Sequence, residues 1–189
     1  MNSRLSLLSI EEIQTGLNKE FQHLEPELSG YRLLEDKMPS TYLADLENRL
    51  SVKFPEDFRQ LISEFNFGNL VIGPIGFGSS CLYTDELLKL NTQVQWWGHG
   101  ARPASLIMVA NSDPFAIILD VCGGHMLAMD AELGYERATR IARSFDAFFI
   151  GLGTAILLRN QTEKKEEMAQ AIADAVGSKD IGFWYFLTR

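Results

Sequence analysis

Cysteine is nearly absent from this chain: Cys81 and Cys122 are the two in 189 residues. That is too few for the disulfide framework of a small exported domain. Basic residues are also in the minority, 17 Lys and Arg against 25 Asp and Glu, for a formal charge of -8. A nucleic-acid binder normally needs a basic face to displace counterions, so direct contact with nucleic acid is not expected. A cationic protein partner is compatible with the balance, because complementary charge speeds encounter. On charge alone, plain solubility explains it at least as well. No stretch approaches the roughly 20 apolar residues of a membrane span. At the N-terminus, Glu11 and Glu12 interrupt the apolar residues too early for a secretory core. A cytoplasmic location without membrane contact is therefore expected. Repeats and low-complexity segments are missing as well.

What is present reads as an ordinary folded protein, with 46% hydrophobic and 22% charged residues. The length suits one domain with a real core and is short for two. Ser9-Ile10-Glu11-Glu12 has the form of a capping box, followed by Ile13, Leu17, Phe21 and Leu24 at helical spacing. Gly30 to Lys37 reads as a connection with a short extended piece at Tyr31–Leu34. From Pro39, the stripe Leu43, Leu46 and Leu50 predicts a helix, with Asp45, Glu47 and Arg49 on its other faces. Phe54-Pro55 breaks it, because the residue before proline disfavours the helical region. A second helix restarts with Glu56 and Asp57, carries Phe58, Leu61, Ile62 and Phe65 inward, and is expected to end at Gly68.

Beyond Asn69 the pattern changes to short strands and tight turns. Thr84-Asp85-Glu86 marks a further helix start, with Leu87, Leu90 and Val94 inward. "SLIMVA" and "FAIILDV" read as central strands, and Gly123-Gly124 as the turn of a hairpin into "HMLAMD". Arg137–Ala142 adds a strand, and Ser144 caps a helix through Phe145, Phe148, Phe149, Leu152 and Ile156. A weakly amphipathic helix follows, with Met168, Ala171, Ile172 and Ala175 inward and Gly177 as its stop. The aromatic tail "IGFWYFL" is expected to dock on the body.

Chemistry-bearing residues are sparse. Cys122 and His125 have half the spacing of a zinc site, but Cys81, His23 and His99 stand singly and supply no second pair. A Gly-Gly turn explains the same residues without metal. A catalytic pair of Cys81 or Cys122 with His99 or His125 would need an activated thiol and an orienting group. "GPIGFG" lacks the lysine of a phosphate loop and reads as turns. Asp113, Asp120 and Asp130 lie at strand ends, where aspartate suits turns. "WWGHGARP" gathers Trp96, Trp97, His99 and Arg102, residue types that include the Trp and Arg favoured at binding hot spots; a tryptophan plugging the core edge is the competing account.

The helix pair carries a resemblance. Leu46-Glu47 and Leu50, then Phe54-Pro55, Phe58, Leu61-Ile62 and Asn66-Phe67-Gly68 are similar to the signature of the SUKH superfamily, typified by the yeast Smi/Knr cell-wall regulators. Ser51 stands where that signature carries glycine. Glu86–Leu88 with Asn91, the apolar strand pair and "IARSFDAFFIGL" continue the resemblance, which spans about Pro39 to Leu152. Asn111-Ser112-Asp113-Pro114 departs from the family's Gly-rich turn. The resemblance implies an α+β fold, with helices packed on a mostly antiparallel sheet. Residues 39–152 would form its core, 1–38 an N-terminal helix and connection, and 160–189 a C-terminal helix and docked tail. It also implies a non-enzymatic binding role without cofactor or metal, as an immunity protein against a toxin or as a regulatory module. A small enzyme using Asp120, Cys122 and His125 is the rival. The expected partner is a protein such as a cationic toxin domain, bound by a monomer or weak homodimer. Candidate contacts are Trp96, Trp97, His99 and Arg102, with Glu35, Asp36, Asp45, Glu56 and Asp57 chosen because they should be exposed.

Overall fold

A computed structural model describes residues 6–79, 82–92 and 101–189. In chain order they form α1 (Ile10–Phe21), α2 (Ser40–Leu50), α3 (Glu56–Glu64), β1 (Val71–Ile72), β2 (Ile75–Gly76) and α4 (Tyr83–Thr92). Then come β3 (Leu106–Asn111), β4 (Phe115–Asp120), β5 (Met126–Asp130), β6 (Thr139–Ala142), α5 (Phe145–Leu158), α6 (Lys165–Val176) and α7 (Ile181–Thr188). The fold is α+β. Six strands pair in chain order, every neighbour antiparallel, so the sheet is a meander with α4 inserted between β2 and β3.

The near-continuous apolar runs at β3 and β4 follow from burial on both faces of the sheet. Ile117 and Leu119 face the main core, whereas Ala116 and Ile118 belong to a smaller cluster with Met108, Met129 and Leu90. Successive strand residues point to opposite faces, so covering both faces requires an unbroken apolar run. A register irregularity between Met108 and Ala110 interrupts β3. There α4 closes the strand's edge: Asn91 Nδ2 donates to Met108 O at 2.9 Å, and Met108 N donates to Asn91 Oδ1 at 2.7 Å. Tyr83 Oη donates to Val109 O at 2.6 Å. One carboxamide thus stands in for a missing neighbouring strand.

α5 is the central helix, buried on all sides from Phe145 to Ile156 apart from the half-buried Asp146 and Ile150. Its glycines admit neighbours closely. A Cβ on Gly153 would lie 2.5 Å from Ile13 of α1, and one on Gly151 would lie 2.7 Å from the Trp184 ring of α7. Thr154, inside this packing, accepts from Leu8 N at 2.9 Å. The main cluster of buried residues runs from Ile13 and Leu17 through the α2–α3 pair to Trp184 and Leu187.

Several boundaries differ from the sequence reading. α3 stops at Glu64, because Phe65 turns extended and its neighbour Glu35 forms a bridge with it. Residues 34–38 run beside the end of α3, with Asn66 N donating to Leu34 O and Met38 N to Ser63 O. The inner face of α6 is Met168, Ala169, Ile172, Ala173 and Val176, with Ala171 and Ala175 only half-buried. Alanine carries little phase information, so alanine spacing alone does not fix which side of α6 faces inward. The aromatic tail is itself a helix, α7, and buries Phe183, Trp184 and Leu187.

Candidate functional site

The α2–α3 pair is held together by a carboxylate that the helical spacing placed on an outer face. Glu47 is 4% exposed. Its Oε1 accepts from Phe54 N at 2.8 Å, and its Oε2 accepts from Lys53 Nζ at 3.1 Å. Arg59 Nη1 lies 2.6 Å from Oε2, a close ion pair. Burial pushes the Glu47 carboxyl up, but the Arg59 guanidinium, Phe54 N and Lys53 together outweigh it. The net shift is below the ordinary carboxylate value. This carboxylate joins α2, the break and α3, and is structural.

Two of the candidate contacts are likewise engaged inside the molecule. Asp57 is half-buried rather than exposed, and its Oδ2 accepts from Phe145 N at 2.8 Å and Asp146 N at 3.3 Å. It caps the start of α5 from a neighbouring helix, satisfying amides that have no partner within α5. Arg102 is half-buried and donates to Leu50 O and Leu106 O, each at 2.8 Å. Leu50 ends α2, where a cation is favoured by the negative end of the helix dipole. Burial moves the Arg102 pKa down. Trp96, Trp97 and His99 lie outside the described residues, as does Cys81.

Glu35, Asp36, Asp45 and Glu56 are exposed. Asp45 stands 3.8 Å from Arg49 on its own helix. Glu56 lines a groove of about 370 Å³ between residues 37–43 and α3, and Glu35 and Asp36 precede that segment without lining it. Lys37, Met38 and Leu43 line one side, and Glu56, Gln60 and Glu64 the other. Glu35 bridges Phe65, and Asp36 donates its N–H to Glu64 O at 3.0 Å while its carboxylate accepts from Asn66 Nδ2 at 3.4 Å. Glu64, Gln60 and Lys37 were not singled out from sequence. The signal was there in the exposed i, i+4, i+8 series Glu56, Gln60, Glu64.

The β4–β5 turn gathers the residues of the rival enzyme reading. His125 Nε2 lies 3.5 Å from Asp120 Oδ2, and Cys122 N donates to Asp120 Oδ1 at 3.0 Å. Cys122 itself is exposed, and its link to Asp120 runs through the backbone, as in an aspartate-stabilised turn. Gly124 has φ 70°, a left-handed conformation suited to glycine. Among the described residues no group of three or more His, Cys, Asp or Glu is placed to hold a metal ion. The "GPIGFG" glycines serve turns and close approach: Gly73 has φ 57°, and a Cβ on Gly78 would lie 2.2 Å from Gly68 O. No helix among the described residues is long and apolar enough to cross a membrane. No protein-family model matches the chain, and no curated protein is similar to it in sequence.

Proposed function

We propose that this chain is a non-enzymatic, cytoplasmic protein-binding domain of the immunity type, which covers a cationic surface of a toxin and so blocks its substrate. The resemblance of the α2–α3 pair to the SUKH signature motivates the class. The observation that supports the reading is the exposed acidic surface of that pair, Glu56 and Glu64 on the wall of one groove and Glu35 and Asp36 on the segment before it, in a chain of charge -8. The acidic Glu47 and Asp57 of the same pair are internally paired and hold the scaffold instead. Binding would be steered by charge, so association slows as salt screens the attraction beyond roughly 8–10 Å. The test is co-expression with the product of any toxin gene adjacent to its own, together with measured binding of the purified pair. Protection with tight, salt-sensitive association is the expected result. Growth arrest despite abundant folded protein, with no association, would rule the reading out.

A further inference from the structure

Residues 34–38 form an extended edge that is hydrogen-bonded on its inner side alone. Leu34 O accepts from Asn66 N, Asp36 N donates to Glu64 O and Met38 N donates to Ser63 O, with Glu35 bridging Phe65. Successive residues of an antiparallel strand turn their backbone groups to opposite edges. Glu35 and Lys37 therefore aim their N–H and C=O away from the end of α3. Among the described residues, neither backbone makes a hydrogen bond and neither side chain makes an ion pair. Residues 34–37 are all exposed, Leu34 by 43%. An open edge of this kind is a template for a further strand.

We infer that this edge pairs with the same edge of a second copy of the chain, antiparallel about a two-fold axis at Asp36. Leu34-Glu35-Asp36-Lys37-Met38 is self-complementary in that register. Glu35 lies opposite Lys37 of the second copy and exchanges both N–H···O bonds with it, through the groups left open in one copy. Their opposite charges meet across the pair, a favourable cross-strand combination. On the other face of the strand, exposed Leu34 lies opposite Met38 of the second copy, whose inner side packs on the core. The two-fold axis repeats each pairing. Asp36 meets its own counterpart, and that like-charge pair keeps the association weak. The contact is small, so the pairing belongs to the transient class. It goes beyond the immunity reading, and neither depends on the other.

The experiment is sedimentation velocity of the full chain at concentrations up to about 1 mM, with amide hydrogen exchange by NMR on the same samples. Reversible dimerisation is expected. Exchange should slow with concentration at the Glu35 and Lys37 amides and stay unchanged at Asp36 and Met38, whose N–H groups are already bonded. Glu35→Lys and Lys37→Glu change the net charge in opposite directions. Each should nonetheless weaken the dimer about tenfold, by setting like charges opposite each other twice. The double swap, Glu35→Lys with Lys37→Glu, should restore it to within about threefold. Lys37→Pro removes a donor used only between copies and should weaken pairing about tenfold or more. Unchanged circular dichroism and melting of the variants exclude unfolding as the cause. A chain that stays monomeric throughout would overturn the inference, as would a dimer whose added protection lies away from residues 34–38. Single variants that simply follow net charge, or a double swap that fails to restore pairing, would overturn it too.

Discussion

Glu47 and Ser51, four residues apart, show how single side chains set the α2–α3 pair. Removing the Glu47 charge leaves Arg59 and Lys53 without their anion. Glu47→Gln is therefore expected to cost about 1.5–3 kcal/mol at neutral pH, the range for hydrogen bonds to charged groups. The pH dependence has a definite sign. The folded-state pKa lies below the unfolded value of about 4.3, so the stabilisation is fully present above that value. It is lost as pH falls through the folded pKa, because the unfolded state takes up the proton first. Urea unfolding of both proteins from pH 7 to pH 3 should show their stabilities converging at the acid end. A constant gap would show that the charge is not responsible. Ser51 sits at φ 54°, ψ 46°, the left-handed region, at the position where the resembled signature has glycine. That conformation costs a non-glycine residue roughly 1–2 kcal/mol, against about 0.4–1 kcal/mol of extra unfolded-chain entropy for glycine. Ser51→Gly should raise the melting temperature by about 1–4 °C. A lower one would show that serine is favoured there by something besides backbone angle.

At the level of elements, α3 has two working sides. Asp57 faces inward and caps α5, whereas its neighbour Glu56 lines the groove. Adjacent helical residues point about 100° apart, so one acidic pair can serve two purposes. Asp57→Ala is expected to cost about 1–2 kcal/mol, as for other lost helix caps. Glu56→Ala should stay within about 0.5 kcal/mol, as exposed substitutions usually do. Thermal melts of the two variants separate scaffold from surface, and equal losses would contradict the division. The same logic explains why α5 accepts glycine inside a helix. The helix-propensity cost of about 1 kcal/mol at Gly151 or Gly153 is offset by the close packing of Trp184 and Ile13.

On the scale of the molecule, the C-terminal helices close the sheet. β6 is a terminal strand, and its outward carbonyls are taken by Lys179 N on Arg140 O at 2.7 Å and Trp184 Nε1 on Ile141 O at 3.0 Å. An uncovered edge would present unpaired groups to another chain. Trp184 also fills the space over Gly151 and is fully buried. Trp184→Ala is expected to cost about 3–5 kcal/mol in urea unfolding, the range for a large aromatic lost from a core. Tyr185→Ala, on the exposed side of the same helix, should cost under about 1 kcal/mol. A small loss at Trp184 would mean that α7 is an appendage and not part of the core.

The amino-acid pattern by itself determined the local grammar. The capping box at Ser9 and Glu12, the break at Phe54-Pro55, the Gly123-Gly124 hairpin and the stop at Gly177 depend on neighbours in the chain, so they were legible one segment at a time. The α+β class followed from apolar runs bounded by turns between helical stripes. Only the tertiary structure decided which polar groups are committed inside. Glu47, Asp57 and Arg102 have sequence contexts like those of surface residues, and their partners at Arg59, Phe145 and Leu50 come from other elements. The groove is hidden from sequence for the same reason. Its two walls, residues 37–43 and α3, become neighbours only in the folded chain, through the shared apolar core of the pair, Glu47 and the backbone contacts at Ser63 and Glu64.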